Sequence, residues 1–307
     1  MVSRTDTLVD SRVGSRPLFS VGDAVYTWGD VVARARAAGE LAAIEGEVRA
    51  GLAALRRTEP EQEDVEAVAR AFRYERGLLA GDELDAWFES RGLTAAEWHE
   101  YLSRVLAREA VPDVDGSAED PVPHVWAEGI CSGVFEAIAH KLALLVAVAP
   151  DAPAERRDEE YEAFCRAAAT DAAIEREIES NRLQWIRLRY DVVAFADEDT
   201  AGEAALCVRA DGEPLADVAA RIGADVEQRD DWLEDVEPEL ASRFFAAEER
   251  SLVGPVAADE GSLLAFVHAK TPPALEDEDV RARAAGALAQ RAAERAVNER
   301  VTWLEPL

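Results

Sequence analysis

Cys131 stands in Gly129-Ile-Cys-Ser-Gly133, the spacing in which a turn between a strand and a helix holds an exposed nucleophile. The residues before it, Pro121-Val-Pro-His-Val-Trp-Ala-Glu128, do not have the character of a strand. The motif therefore reads as part of a helix whose small residues allow close packing. His124 precedes Cys131 by seven positions, two helical turns, yet a metal site needs three or four ligands and no third lies near. Cys131, Cys165 and Cys207 are odd in number and contain no CxxC pair, so neither a disulfide framework nor a structural zinc site is expected. Asp230-Asp231 and Glu234-Asp235 lack the glycine and the ligand spacing of a calcium loop, and read as a solvated acidic segment. No metal and no cofactor are expected. His99 and His140 fall beside apolar stripes, and His268 falls at the end of a strand, where structural roles are the simpler reading. Of the tryptophans, Trp28, Trp87, Trp98, Trp126, Trp185 and Trp303 are assigned by default to core packing, whereas Trp232 lies among charges and is expected to be exposed.

The elements that must position these residues begin with a short hairpin over 18–27, turning at Gly22-Asp23. Apolar residues from Trp28 to Leu55 recur every three or four positions, which predicts one helix from Trp28 to about Arg57. A second helix carries Val65, Val68, Phe72 and Leu79. A shorter one is capped by Asp82 and stops at Gly92, and Thr94-Ala-Ala-Glu97 is a capping box that opens the next. Val111 to Pro123 reads as a loop, followed by helices over 124–149 and 158–181. Near residue 183 the period changes. Ile186, Leu188, Tyr190 and Val192 alternate with charged residues, as a strand does. Helices over 201–209 and 215–222 come next, then an irregular acidic segment and a helix over 237–249. A strand pair over 251–256 and 262–268 turns at 259–261, and a last helix covers 277–300. The fold class is α+β and mostly helical, with an α+β domain of roughly ninety residues between helical segments.

Composition narrows the partners. The 307 residues suffice for two ordinary domains. Only Lys141 and Lys270 are lysines among the 33 basic residues, and 63 acids bring the net charge to −30. Such a surface repels phosphate backbones and anionic membranes, and it steers in a basic or neutral polypeptide, more strongly at low salt. Met1 to Pro17 contains no apolar core of a signal peptide, and charged residues interrupt the most apolar stretch, 130–150. A cytoplasmic location is therefore expected.

Two stretches resemble known proteins. Val21-Gly-Asp-Ala-Val-Tyr-Thr-Trp-Gly-Asp-Val-Val32, with the short helices over 84–106, resembles the opening of SurA-type chaperone domains. Residues 186–270 resemble a parvulin (PpiC-type) domain in the order of their elements. Leu206-Cys-Val-Arg-Ala-Asp-Gly-Glu-Pro-Leu-Ala-Asp-Val-Ala219 and Gly254-Pro-Val256 followed by Gly261-Ser-Leu-Leu-Ala-Phe-Val267 stand for its motifs. The resemblance implies a histidine on the first strand and another on the last. Here those positions fall at about Asp191 and Ser262, and Val226-Glu-Gln-Arg-Asp-Asp-Trp-Leu-Glu234 replaces a glycine-rich loop. A carboxylate in place of a buried imidazole changes the charge of the pocket that would lower the barrier of about 20 kcal/mol to prolyl isomerisation.

The resemblance thus implies a peptide-binding chaperone or adaptor that has lost isomerase activity, of the kind associated with maturation of ribosomally made peptides. It also implies a SurA-like assembly, in which residues 18–182, completed by the C-terminal helix over 276–307, form a helical module and 183–273 an inserted parvulin-like domain. Its partner would be a peptide or unfolded polypeptide segment, basic or apolar, held in a groove between the module and the inserted domain. Tyr190, Asp191, Trp232, Phe244 and Ser262 are the expected peptide-binding residues, with no catalytic residue assigned. A working prolyl isomerase, and a biosynthetic enzyme using Cys131 or the acidic segment, stay open as alternatives.

Overall fold

The computed structural model describes residues 14–112, 114–116, 118–258 and 261–305. It is α+β and mostly helical, with two antiparallel sheets, as the sequence leads one to expect. The chain forms two compact units, one running to Ala163 and resuming at Ala293, the other spanning Phe164–Ala292.

The first unit opens with β1 (Pro17–Val21) and β2 (Ala24–Thr27), joined at Gly22, whose φ of 57° suits a residue without a Cβ. Helices α1 (Trp28–Ala37), α2 (Glu40–Leu55), α3 (Gln62–Glu75), α4 (Gly81–Arg91) and α5 (Ala95–Ala110) follow. Then come α6 (Val125–Cys131) and α7 (Val134–Val148). Three helices expected as single are each divided. Gly39 at φ 78° separates α1 from α2, and Gly133 at φ 79° separates α6 from α7, which bend by 72°. Thr170 ends α8 (Arg157–Ala168) and caps α9 (Asp171–Ser180) by accepting the Ala173 N–H. In each case the apolar period resumes beyond the break, so the stripe alone looks continuous. Leu79 lies beyond α3 and is exposed, and α4 is capped by Ala80 with Glu83, with Asp82 inside its first turn. The Thr94–Glu97 capping box forms as expected.

The core of this unit packs aromatic edges against faces, with Trp28 and Trp126 5.7 Å apart and nearly perpendicular. Within it Arg104, almost wholly buried, donates to Glu128, whose other oxygen accepts from Arg108 at 2.9 Å. No single described helix is long and apolar enough to cross a membrane.

The second unit holds β3 (Arg187–Phe195), α10 (Glu198–Ala210), α11 (Leu215–Ile222), β4 (Val226–Trp232), α12 (Pro238–Ala246), β5 (Ser251–Ala258) and β6 (Gly261–Thr271). The sheet order is β4-β3-β6-β5, all antiparallel, so β4 and β5 are its edges. The turn expected at 259–261 falls partly on 259 and 260, outside the described residues. The acidic segment expected to be irregular is the strand β4. Its charges find partners on neighbouring elements: Asp230 with Arg187 at 2.6 Å, and Asp231 with the Tyr190 hydroxyl at 2.8 Å. The last helix, α13 (Glu278–Arg300), starts in the second unit and leads into β7 (Val301–Trp303), which pairs with β1.

Candidate functional site

Alternation along β3 divides its side chains between two cores. Leu188, Tyr190 and Val192 pack with Leu240 and Phe244 of α12, whereas Val193 and Phe195 pack with α10 and α11. At the start of the strand, Arg187 lies opposite Trp232, which packs against the cluster of Ile174, Ile178 and Trp185. Between these packed ends, a recess of about 450 Å³ opens over the middle of the strand, lined by Arg189, Tyr190, Asp191, Gln228, Arg229, Asp230 and His268.

A bulge shapes this recess. Arg189 pairs with Ala269 of β6 but Tyr190 pairs with Val267, so His268 is the extra residue on its strand. The bulge aims the imidazole across the sheet, and its Nε2 lies 2.9 Å from an Asp191 carboxylate oxygen. The Phe266 ring stands edge-on to the same imidazole at 5.3 Å. Asp191 is largely covered, while His268 keeps over a third of its side chain in solvent. Arg189 has no partner among the described residues, which leaves its guanidinium available to a ligand. The site thus offers a carboxylate–imidazole pair, a guanidinium and an amide, a set that can meet both donors and acceptors of a bound chain.

Of the five expected residues, the recess brings together Tyr190 and Asp191. Tyr190 presents little of its side chain there: it is 2% exposed, and its hydroxyl donates to Asp231. Burial, reinforced by Asp231, pushes its pKa up to about 12, so the phenol stays protonated. Phe244 is a core residue, fully buried, with its ring 4.6 Å from that of Tyr190. Ser262 is buried and donates to the Val256 carbonyl at 3.2 Å. Ser262 lies opposite Phe195, four residues along β3 from Asp191, a separation of about 13 Å. Trp232 ends β4 half-buried, with the Arg283 and Arg187 guanidinium groups 5.2 and 5.6 Å from its ring centre. The sequence reading missed His268, Arg189 and Gln228 as site residues. A histidine at a strand end carried no signal without the register of the bulge.

The other chemical candidates lie elsewhere. Cys131 ends α6 and is buried, and burial pushes its thiol up to about 12, so it is no activated nucleophile. Glu234 and Asp235 both accept from Arg283. Among the described residues, no group of three or more His, Cys, Asp and Glu is placed to hold a metal ion.

No protein-family model matches the chain, and no curated protein matches it. Among solved structures, it is similar to a SurA-like chaperone from Campylobacter jejuni, with 9% identity, coverage of 94% of this chain and 99% of that one, and a TM-score of 0.22. It is similar to the peptidylprolyl isomerase PrsA from Bacillus cereus, with 12% identity, 93% and 91% coverage and a TM-score of 0.30. It is also similar to the foldase protein PrsA from Streptococcus pneumoniae, with 11% identity, 92% and 88% coverage and a TM-score of 0.29.

Proposed function

We propose that this protein binds extended polypeptide segments over the β4 side of its second unit, as a chaperone or adaptor that neither makes nor breaks bonds. The observation that supports it most is the recess beside an open sheet edge. β4 has a strand on one side only, so its outward N–H and C=O groups are available to pair with an incoming chain. Beside that edge stand Arg189, Gln228 and the Asp191–His268 pair, ready to meet polar groups of the same ligand. The net charge of −30 favours a basic segment. A part in maturing ribosomally made peptides belongs to the same proposal and rests on the sequence resemblance, and a cytoplasmic location is proposed with it.

The test is a titration with fluorescently labelled hen lysozyme, reduced and carboxamidomethylated so that it is unfolded and basic. Saturable binding that weakens with salt is the expected result. No binding at a protein concentration of about 100 µM would overturn the reading.

One observation favours a second reading, a working prolyl isomerase: the carboxylate–imidazole contact restores an imidazole beside Asp191. Acceleration of Xaa-Pro isomerisation in short peptides, abolished by both Asp191→Ala and His268→Ala, would replace the binding-only account.

A further inference from the structure

A second groove in the same unit has a different character. It has a volume of about 520 Å³ and runs along the outward side of α12, floored by Leu233 and Val236 and walled by Leu183, Ala241 and Phe245. Leu183 is 57% exposed and Phe245 53%, although both are large and apolar. Two such side chains facing one groove are more than the usual scatter of single apolar residues over a surface.

Backbone bonds hold the walls in place. Leu233 N–H donates to the Ile186 carbonyl at 2.8 Å and Glu234 N–H to the Gln184 carbonyl at 3.1 Å, which tie the floor to the Leu183 turn. The Lys270 ammonium donates to the Phe245 carbonyl at 3.1 Å and also to that of Ala247, which fixes the end of α12. A groove held open before its ligand arrives loses less entropy on binding.

The flanking charges specify the ligand. Arg182 pairs with Glu179, Arg243 with Glu239, and Arg283 with Glu234 and Asp235, so each flanking guanidinium is already engaged. Glu237, at the start of α12, is exposed and its carboxylate has no partner among the described residues. Glu234 lines the groove, and Glu179, Asp235, Glu237 and Glu239 lie within a few residues of its lining, against three engaged guanidinium groups and the Lys270 ammonium, in a chain whose net charge is −30.

We propose that this groove anchors two or three apolar side chains of a polypeptide that carries a lysine or arginine next to them. The inference rests on the reading that the second unit binds polypeptide, and it adds a second contact site, apart from the β4 recess, that takes apolar side chains beside a basic one.

The test uses fluorescein-labelled synthetic peptides of about fourteen residues, with a Leu/Phe centre flanked by lysines, the same centre flanked by glutamates, or a serine centre flanked by lysines. Each is titrated, alongside the unfolded lysozyme probe, against the wild-type chain and the Leu183→Ser/Phe245→Ser double variant. Both changed residues are more than half exposed, and circular dichroism checks that the variant remains folded. The lysine-flanked apolar peptide should bind the wild type, and the double variant should weaken it roughly ten- to a hundredfold. The glutamate-flanked and serine-centred peptides should bind at least about tenfold more weakly than it does, the first difference shrinking as salt rises. If lysozyme binds both proteins equally and the peptide affinities are unchanged by the double substitution, the groove is not the anchor, while polypeptide binding stands. If no probe binds the wild type, both readings fail. If sedimentation shows a wild-type dimer that the double variant converts to monomer, the groove is a self-association surface and the proposal is wrong.

Discussion

Phe244 and Phe245 are neighbours in sequence, and the structure assigns them opposite fates. On α12 they point about 100° apart. Phe244 is fully buried among Leu188, Tyr190, Val192, Leu240, Val253 and Val267, while Phe245 is 53% exposed on the groove. Phe244→Ala removes a ring from a closed core and leaves a cavity, which costs about 3–5 kcal/mol. Phe245→Ala removes a ring with few partners to lose, and its effect should stay within about 0.5 kcal/mol. The gap, about 3 kcal/mol, is more than a hundredfold in the unfolding equilibrium. Two compact units need not unfold together, so a single whole-chain transition is a poor measure. Native-state hydrogen exchange at the amides of β3 and β6 reads the second unit directly. Protection there should fall sharply in Phe244→Ala and stay at the wild-type level in Phe245→Ala. Equal effects, or a loss below about 1 kcal/mol for Phe244→Ala, would refute this division and make Phe244 available as a ligand-contacting residue.

Gly129 and Gly46 form a second contrast: a Cβ on Gly129 would lie 2.4 Å from the buried Phe135 ring, whereas one on Gly46 meets nothing within 4 Å. By native-state hydrogen exchange at the slowest amides of the first unit, Gly129→Ala should destabilise by about 1–3 kcal/mol and Gly46→Ala should stabilise by about 0.5–1 kcal/mol. The Cys131 thiol should resist Ellman's reagent in the folded chain and react only on unfolding, while Cys165 and Cys207, both partly exposed, react first; rapid native labelling of Cys131 would contradict its placement. Arg291 donates to Glu177 and holds its carboxyl below the ordinary glutamate range. The stabilisation from this pair is therefore full above that range and is lost as pH falls through the lower folded value. Acid unfolding of the second unit should set in at a higher pH in Arg291→Met than in the wild type, and an unchanged midpoint would argue against the contact.

Local chemistry was readable wherever it settled the outcome. The hairpin at Gly22, the Thr94–Glu97 capping box and the alternation through β3 each depend on residues within a few positions of one another. The breaks at Gly39, Gly133 and Thr170 were not, because the apolar stripes continue on both sides of each. β4 escaped notice because a run of charges looks solvated until its partners arrive. Those partners, Arg187 and Tyr190, lie more than forty residues away. The β7 strand is three residues long, too short for any period to show. The site was harder still. Asp191 could be singled out as a position, but its contact with His268 depends on a bulge 77 residues downstream. Phe244, Ser262 and Trp232 drew attention by type and order, and tertiary packing closes the first two into the core and half-covers the third.

The central claim is that polypeptide is held over the β4 side of the second unit. Hydrogen exchange measured with and without saturating unfolded, alkylated lysozyme tests it most directly. The account predicts slowed exchange at the outward amides of β4 on adding the probe, with little change in the first unit. Protection confined to the first unit, or none anywhere at a concentration where the probe is bound, would contradict it.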